Sequence, residues 1–75
     1  MKKVSLNLKN AEQVVEFVKV MNGLPYDADV CYGSCIVDAK SLLGVMSLAA
    51  AKTVELVMHA DDCGEIQDKL VAYAV

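Results

Sequence analysis

The side chains with the most reactive chemistry fall into two pairs of equal spacing, Cys31-x-x-x-Cys35 and His59-x-x-x-Cys63. Thiolates and an imidazole are zinc ligands, and four of them could close a tetrahedral site. The residues between the first two argue against it. Gly33-Ser34 reads as a two-residue hairpin turn with glycine at the first central position. Such a turn sets Tyr32 opposite Cys35 and Cys31 opposite Ile36. Facing residues share one side of a sheet, and successive residues alternate, so Cys31 and Cys35 point to opposite sides. They can then neither share a metal ion nor bridge readily. A different loop length at Gly33 would reopen the question. The expectation is no metal and no cofactor, with the thiols acting as small apolar residues. Three cysteines without an export signal read as reduced and cytoplasmic.

Two further residues sit where a helix begins. Asn10 can accept a hydrogen bond from the first turn of a helix, and Gln13 three residues on completes a capping-box pattern. Ser41 can cap a second helix, with Lys40 beside it. Glu12 places a carboxylate in the first turn of the first helix.

The elements that position these residues follow from periodicity. Lys2–Leu8 alternates, with Val4, Leu6 and Leu8 on one face, and reads as a half-buried strand. Val14, Phe17, Val18 and Met21 recur at helical spacing until Asn22-Gly23, and Pro25 prevents a restart. Asp27–Tyr32 and Cys35–Ala39 alternate on either side of the turn, with Tyr32, Cys35, Val37 and Ala39 on one face. Ser41 opens a helix predicted through Ala50, in which Gly44 lowers helical propensity. Thr53–Ala60 is a fourth strand, Asp61-Asp62 and Gly64 form a break, and Glu65–Val75 is a last helix with Ile66, Leu70 and Tyr73 inward. The order is β-α-β-β-α-β-α, a single α+β domain over residues 1–75. One polar face per strand suits a four-stranded antiparallel sheet with three helices on one face.

Composition narrows the partners. The net charge is −3, and the basic residues are lysines only. An acidic chain without guanidinium groups is a poor match for nucleic acid or an anionic membrane surface. No apolar run reaches the ~18 residues of a bilayer span, and MKKVSLNL lacks the features of a signal peptide.

The string Lys40-Ser41-Leu42-Leu43-Gly44-Val45-Met46-Ser47-Leu48 resembles the regulatory-serine segment of HPr, the phosphocarrier family of the bacterial sugar phosphotransferase system. The element order is similar too, from about Lys3 onward, with a shorter final helix. The resemblance implies an open-faced β-sandwich. In that family a His at the start of the first helix carries the phosphoryl group, followed by Ala, Arg and Pro. The matching positions here are Asn10, Ala11, Glu12 and Gln13. Asn cannot accept a phosphoryl group as imidazole does, and Glu12 reverses the charge where the family's Arg holds phosphate. The expectation is that the relay is lost, so that the chain is not an enzyme but a regulatory or protein-binding module. His59 does not match the carrier position.

The resemblance also implies that Ser41 matches the serine phosphorylated by a dedicated HPr kinase in gram-positive relatives. Phosphate at a helix start is favourable. If Val45, Leu48 and Ala49 pack inward, then Leu42, Leu43 and Met46 lie outward, on the surface that docks partner proteins in the family. Val15 would stand nearby, with Asn10, Glu12 and Lys40 as the rim. Cys31, Ile36 and Val57 should face away from the helices and could form a weak homodimer contact. The alternatives are a phosphocarrier with another acceptor, such as His59 or a cysteine, and a small metal or redox module on the cysteines.

Overall fold

A computed structural model describes residues 2–48, 53–60 and 64–73. The first strand, β1 (Lys2–Leu6), leads into helix α1 (Ala11–Asn22). The hairpin strands β2 (Ala28–Tyr32) and β3 (Cys35–Asp38) follow, then α2 (Leu42–Leu48) and β4 (Val54–Met58). After these come α3 (Gly64–Leu70) and a 3₁₀ turn over Val71–Tyr73. The four strands form one antiparallel sheet in the order β1-β4-β2-β3. The expected α+β architecture is the observed one. The strands are one or two residues shorter at their ends than alternation alone predicts, and the last helix tightens to 3₁₀ from Val71. The predicted extension of the second helix to Ala50, and the break at Asp61-Asp62, lie outside the described residues.

The turn between β2 and β3 follows from one glycine. Gly33 has φ of 59°, where a Cβ is strained, and none of the described non-glycine residues has positive φ. Ser34 therefore keeps negative φ, the type II′ arrangement that matches strand twist. It sets the register Tyr32↔Cys35 and Cys31↔Ile36.

The core lies between one sheet face and the helices. Leu6, Val30, Leu56 and Met58 from the strands meet Val14, Phe17 and Met21 from α1 and Val45 from α2, all fully buried. Each such side chain contributes about 1.5–3 kcal/mol of transfer free energy. Tyr73 is the anchor of the last turn. Its ring stands edge-on to Phe17, centroids 6.1 Å apart, and its hydroxyl donates to Glu16 Oε2 at 3.4 Å. Burial, then the Glu16 carboxylate, pushes the Tyr73 phenol above its usual range.

Strict alternation fails at two places. Tyr32 and Cys35 are on the helix side of the hairpin yet exposed, whereas Val37 is half-buried and Ala39 buried farther down the same face. Tyr32 and Cys35 lie at the hairpin tip, beside Gly33-Ser34, whereas Val37 meets α2 through Gly44. Val57 faces the open side of the sheet yet is only 8% exposed. It is a short branched side chain on a central strand, flanked by Lys3 and Asp29 in register. The supposed apolar spot of Cys31, Ile36 and Val57 is thus reduced. Val57 is buried, Cys31 is half-buried, and Ile36 alone is largely exposed.

Candidate functional site

Two helix starts carry the candidate residues. Asn10 is the N-cap of α1, in extended conformation, and its Oδ1 accepts from Gln13 N–H at 2.8 Å. Gln13 Oε1 accepts in return from Lys9 N–H at 2.9 Å. The reciprocal box is thus displaced one residue, from the cap itself to Lys9. Glu12 is exposed in the first turn. A carboxylate there interacts favourably with the helix dipole but opposes an incoming anion.

Ser41 performs the same task for α2 more loosely. Its Oγ accepts from Gly44 N–H at 3.3 Å, and its carbonyl accepts from Val45 N–H at 3.0 Å. The residue is exposed. Gly44 has a reason that periodicity does not disclose. A Cβ there would lie 3.1 Å from Val37 Cβ and 3.3 Å from Ser41 Oγ. The glycine lets α2 settle on β3 without disturbing the cap.

Lys40 forms the clamp between the helices. Its Nζ donates to Leu24 O at 3.1 Å, and its N–H donates to Asp38 Oδ1 at 2.9 Å. Its carbonyl accepts from Asn22 Nδ2 at 3.1 Å. Asn22 also donates to Val18 O at 2.9 Å. These bonds fix the start of α2 at the end of α1. Since α1 has 12 residues, Asn10 and Lys40 stand at opposite ends of a helix about 18 Å long. They do not share one rim, and the surface between them runs the length of the helix.

On that surface Leu42, Leu43 and Met46 are 42%, 84% and 37% exposed. Val15 on α1 is half-buried, and α1 packs against α2. Val45 is buried and Leu48 packs against the core. Ala49, the third residue expected inward, lies outside the described residues.

His59 lies at the far side of the sheet. Its N–H donates to Asp27 O at 3.0 Å, and its Nε2 is 2.7 Å from Asp29 Oδ2. The pair borders an open cleft of about 420 Å³ lined by Asp27, Ala28, Asp29, Asp38 and His59. Sequence reasoning missed this pairing, although the register that sets Asp29 against Val57 places His59 beside it. The carboxylates of Asp27, Asp29 and Asp38 line the same cleft as the imidazole and repel a phosphoryl donor.

The cysteines divide as the turn dictates. Cys35 is exposed and Cys31 is half-buried. Desolvation, then the charges of Asp29 and Glu55, raises the Cys31 thiol above its usual range, with Lys3 acting the other way. Cys63 lies outside the described residues. Among the described residues no group of three His, Cys, Asp or Glu side chains is arranged to hold a metal ion.

The family profile described as the phosphorylation site of the HPr component of the phosphotransferase system matches residues 6–74. The chain belongs to the HPr family. Two solved structures are similar to it. HPr-C-His from Thermoanaerobacter tengcongensis aligns with a TM-score of 0.78 and 30% identity, over 96% of this chain and 89% of that one. Phosphocarrier protein HPr from Bacillus anthracis str. Ames aligns with a TM-score of 0.74 and 30% identity, over 99% of this chain and 94% of that one. No curated protein sequence matches. The HPr fold accounts for the open sheet with its helices on one face. It also places this chain with the phosphocarriers of the sugar phosphotransferase system, which are protein relays rather than classical enzymes. No helix among the described residues is long and apolar enough to cross a membrane.

Proposed function

We propose that this HPr-family chain no longer relays phosphate and acts as a regulatory, protein-binding member of the sugar phosphotransferase system, in the cytoplasm. The observation that carries the reading is the start of α1. Asn10, at the position that resembles the carrier histidine, has its Oδ1 engaged by Gln13 N–H, and Glu12 stands where the family's Arg holds phosphate. A side-chain amide is not a phosphoryl acceptor, and the carboxylate opposes the approach of an anion.

The partner surface is then the exposed Leu42, Leu43 and Met46 with the half-buried Val15, next to the capping Ser41. Its partners are proteins of the phosphotransferase and carbon-regulation system. Ser41 is the switch. Its hydroxyl is exposed, and an HPr kinase would add a dianion beside Leu42 and Leu43, changing what that surface accepts.

Two incubations test this. With enzyme I and labelled phosphoenolpyruvate, the purified protein takes up no acid-labile label; acid-labile label on any residue overturns the reading. With ATP and HPr kinase, the intact mass rises by one phosphate, and Ser41→Ala abolishes the rise. An unchanged wild-type mass removes the switch but leaves the loss of relay standing.

A further inference from the structure

The two edges of the sheet are not alike. β1 is guarded: Lys2 and Lys3 are exposed along it, and just beyond its end Asn7 N–H donates to Tyr73 O at 2.8 Å. Such charges keep another strand from adding. β3, at the opposite edge, carries no lysine and exposes Cys35 and Ile36, the latter 67% exposed.

Hydrogen-bond phasing shows which groups β3 offers. Ala39 N–H donates to Ala28 O at 2.9 Å. In an antiparallel ladder bonded pairs alternate, so Cys35, Val37 and Ala39 turn their backbone groups toward β2. Ile36 and Asp38 turn theirs outward. Asp38 O is taken by Ser41 N–H at 3.0 Å. The outer edge therefore presents Ile36 N–H, Ile36 C=O and Asp38 N–H without a strand partner.

We propose that β3 pairs antiparallel with β3 of a second copy, about a two-fold axis through Ile36, to make a weak dimer with a continuous eight-stranded sheet. On that axis Ile36 exchanges both of its backbone bonds with Ile36 of the partner subunit. Asp38 N–H then faces the carbonyl of Ser34 of the partner subunit, so each free group of the strand itself finds a complement. The largely exposed isoleucine meets its own copy on the open face, next to the half-buried Cys31 with which it is in register. The two Asp38 carboxylates are offset by four residues, about 13–14 Å along the strands. That exceeds the ~8 Å screening length in physiological salt. Moving the axis to Asp38 would set like charges face to face where the chain already turns into α2. Moving it to Ser34 would centre it on the hairpin turn. Charge and geometry thus select Ile36, and an isologous contact closes at two subunits. Four residues of edge make a small interface, below the size of a permanent one.

Sedimentation equilibrium tests the stoichiometry. The average mass should rise from 8.1 kDa toward twice that value. A weak contact of this size should show the rise between about 10 µM and 1 mM protein. Ile36→Lys, at an exposed position, should stay monomeric throughout. Register is tested with the native cysteines replaced by serine. Ile36→Cys should cross-link rapidly to a covalent dimer under mild oxidation, because bonded partners lie about 5.5 Å apart at Cα, within disulfide reach. Ser34→Cys, also exposed but far from its own copy, should not. A wild-type monomer at all concentrations, species larger than a dimer, or equal cross-linking of the two cysteine variants overturns the proposal.

Discussion

The N-termini of α1 and α2 are built from the same device with side chains of different chemistry. In each, a side-chain oxygen one residue before the helix accepts a backbone N–H of the first turn. At α1 the bond is 2.8 Å, and Gln13 returns a second bond to Lys9. At α2 it is 3.3 Å, the capping group is an exposed hydroxyl, and the helix it starts rests on β3 through Gly44. The first N-terminus is a structural cap with a carboxylate beside it. The second keeps a nucleophilic oxygen at the surface, next to apolar side chains. The difference teaches that one capping geometry can hold side chains of unlike chemistry: an amide that is no phosphoryl acceptor at α1, and a hydroxyl that could take a phosphate at α2.

The largest effect should come from reversing the α1 start. Asn10→His with Glu12→Arg returns an imidazole and a cation to the first turn. This double variant should acquire acid-labile phosphate from enzyme I and labelled phosphoenolpyruvate, where the parent shows background only. Adding His59→Gln should leave that label in place, because His59 lies in the acidic cleft across the sheet. If the double variant stays unlabelled, the start of α1 has lost more than its acceptor and charge. If His59→Gln removes the label, His59 and not the start of α1 is the acceptor.

A smaller effect tests the support beneath α2. Gly44→Val should destabilise the protein by about 1–3 kcal/mol in denaturant unfolding, the usual cost of overpacking. Helix propensity alone would push the other way, since valine is a better helix former than glycine. A neutral or stabilising result would mean that Val37 can give way, and that the seating of α2 on β3 is not as tight as the 3.1 Å approach implies.

How much of this is legible in the sequence depends on the kind of information each residue carries. Alternation and helical spacing are read from side-chain type, and they placed every strand and helix in order. The KSLLGVMSL segment carried the family. Coverage is not a property of one element, so the exposure of Tyr32 and Cys35 and the burial of Val57 escaped: the first depends on which part of the hairpin the helices reach, the second on what flanks a central strand. Lys40 escaped for a related reason. A charged residue beside a serine looks like a phosphate partner, yet its amine is spent on Leu24 O and its backbone on Asp38 and Asn22. The pairing of His59 with Asp29 needed the register of two strands 30 residues apart. The role of Gly44 needed the distance between a helix and a strand.

The smallest effect concerns whether the two caps act independently. Asn10→Ala should cost about 1 kcal/mol, the typical worth of an N-cap. Ser41→Ala should cost less, about half of that, because a hydrogen bond of 3.3 Å lies beyond the usual N–H···O range. The caps stand at opposite ends of α1 and share no hydrogen-bond partner, so the double variant should lose the sum of the two within about 0.5 kcal/mol. The Lys40 clamp makes this worth measuring. It ties the start of α2 to the end of α1, so any loosening at Asn10 that travels along the helix would arrive there first. A coupling energy above that limit would mean that the state of one cap is felt at the other. A phosphate on Ser41 would then act on the whole length of the helix pair, rather than only on the surface of Leu42, Leu43 and Met46.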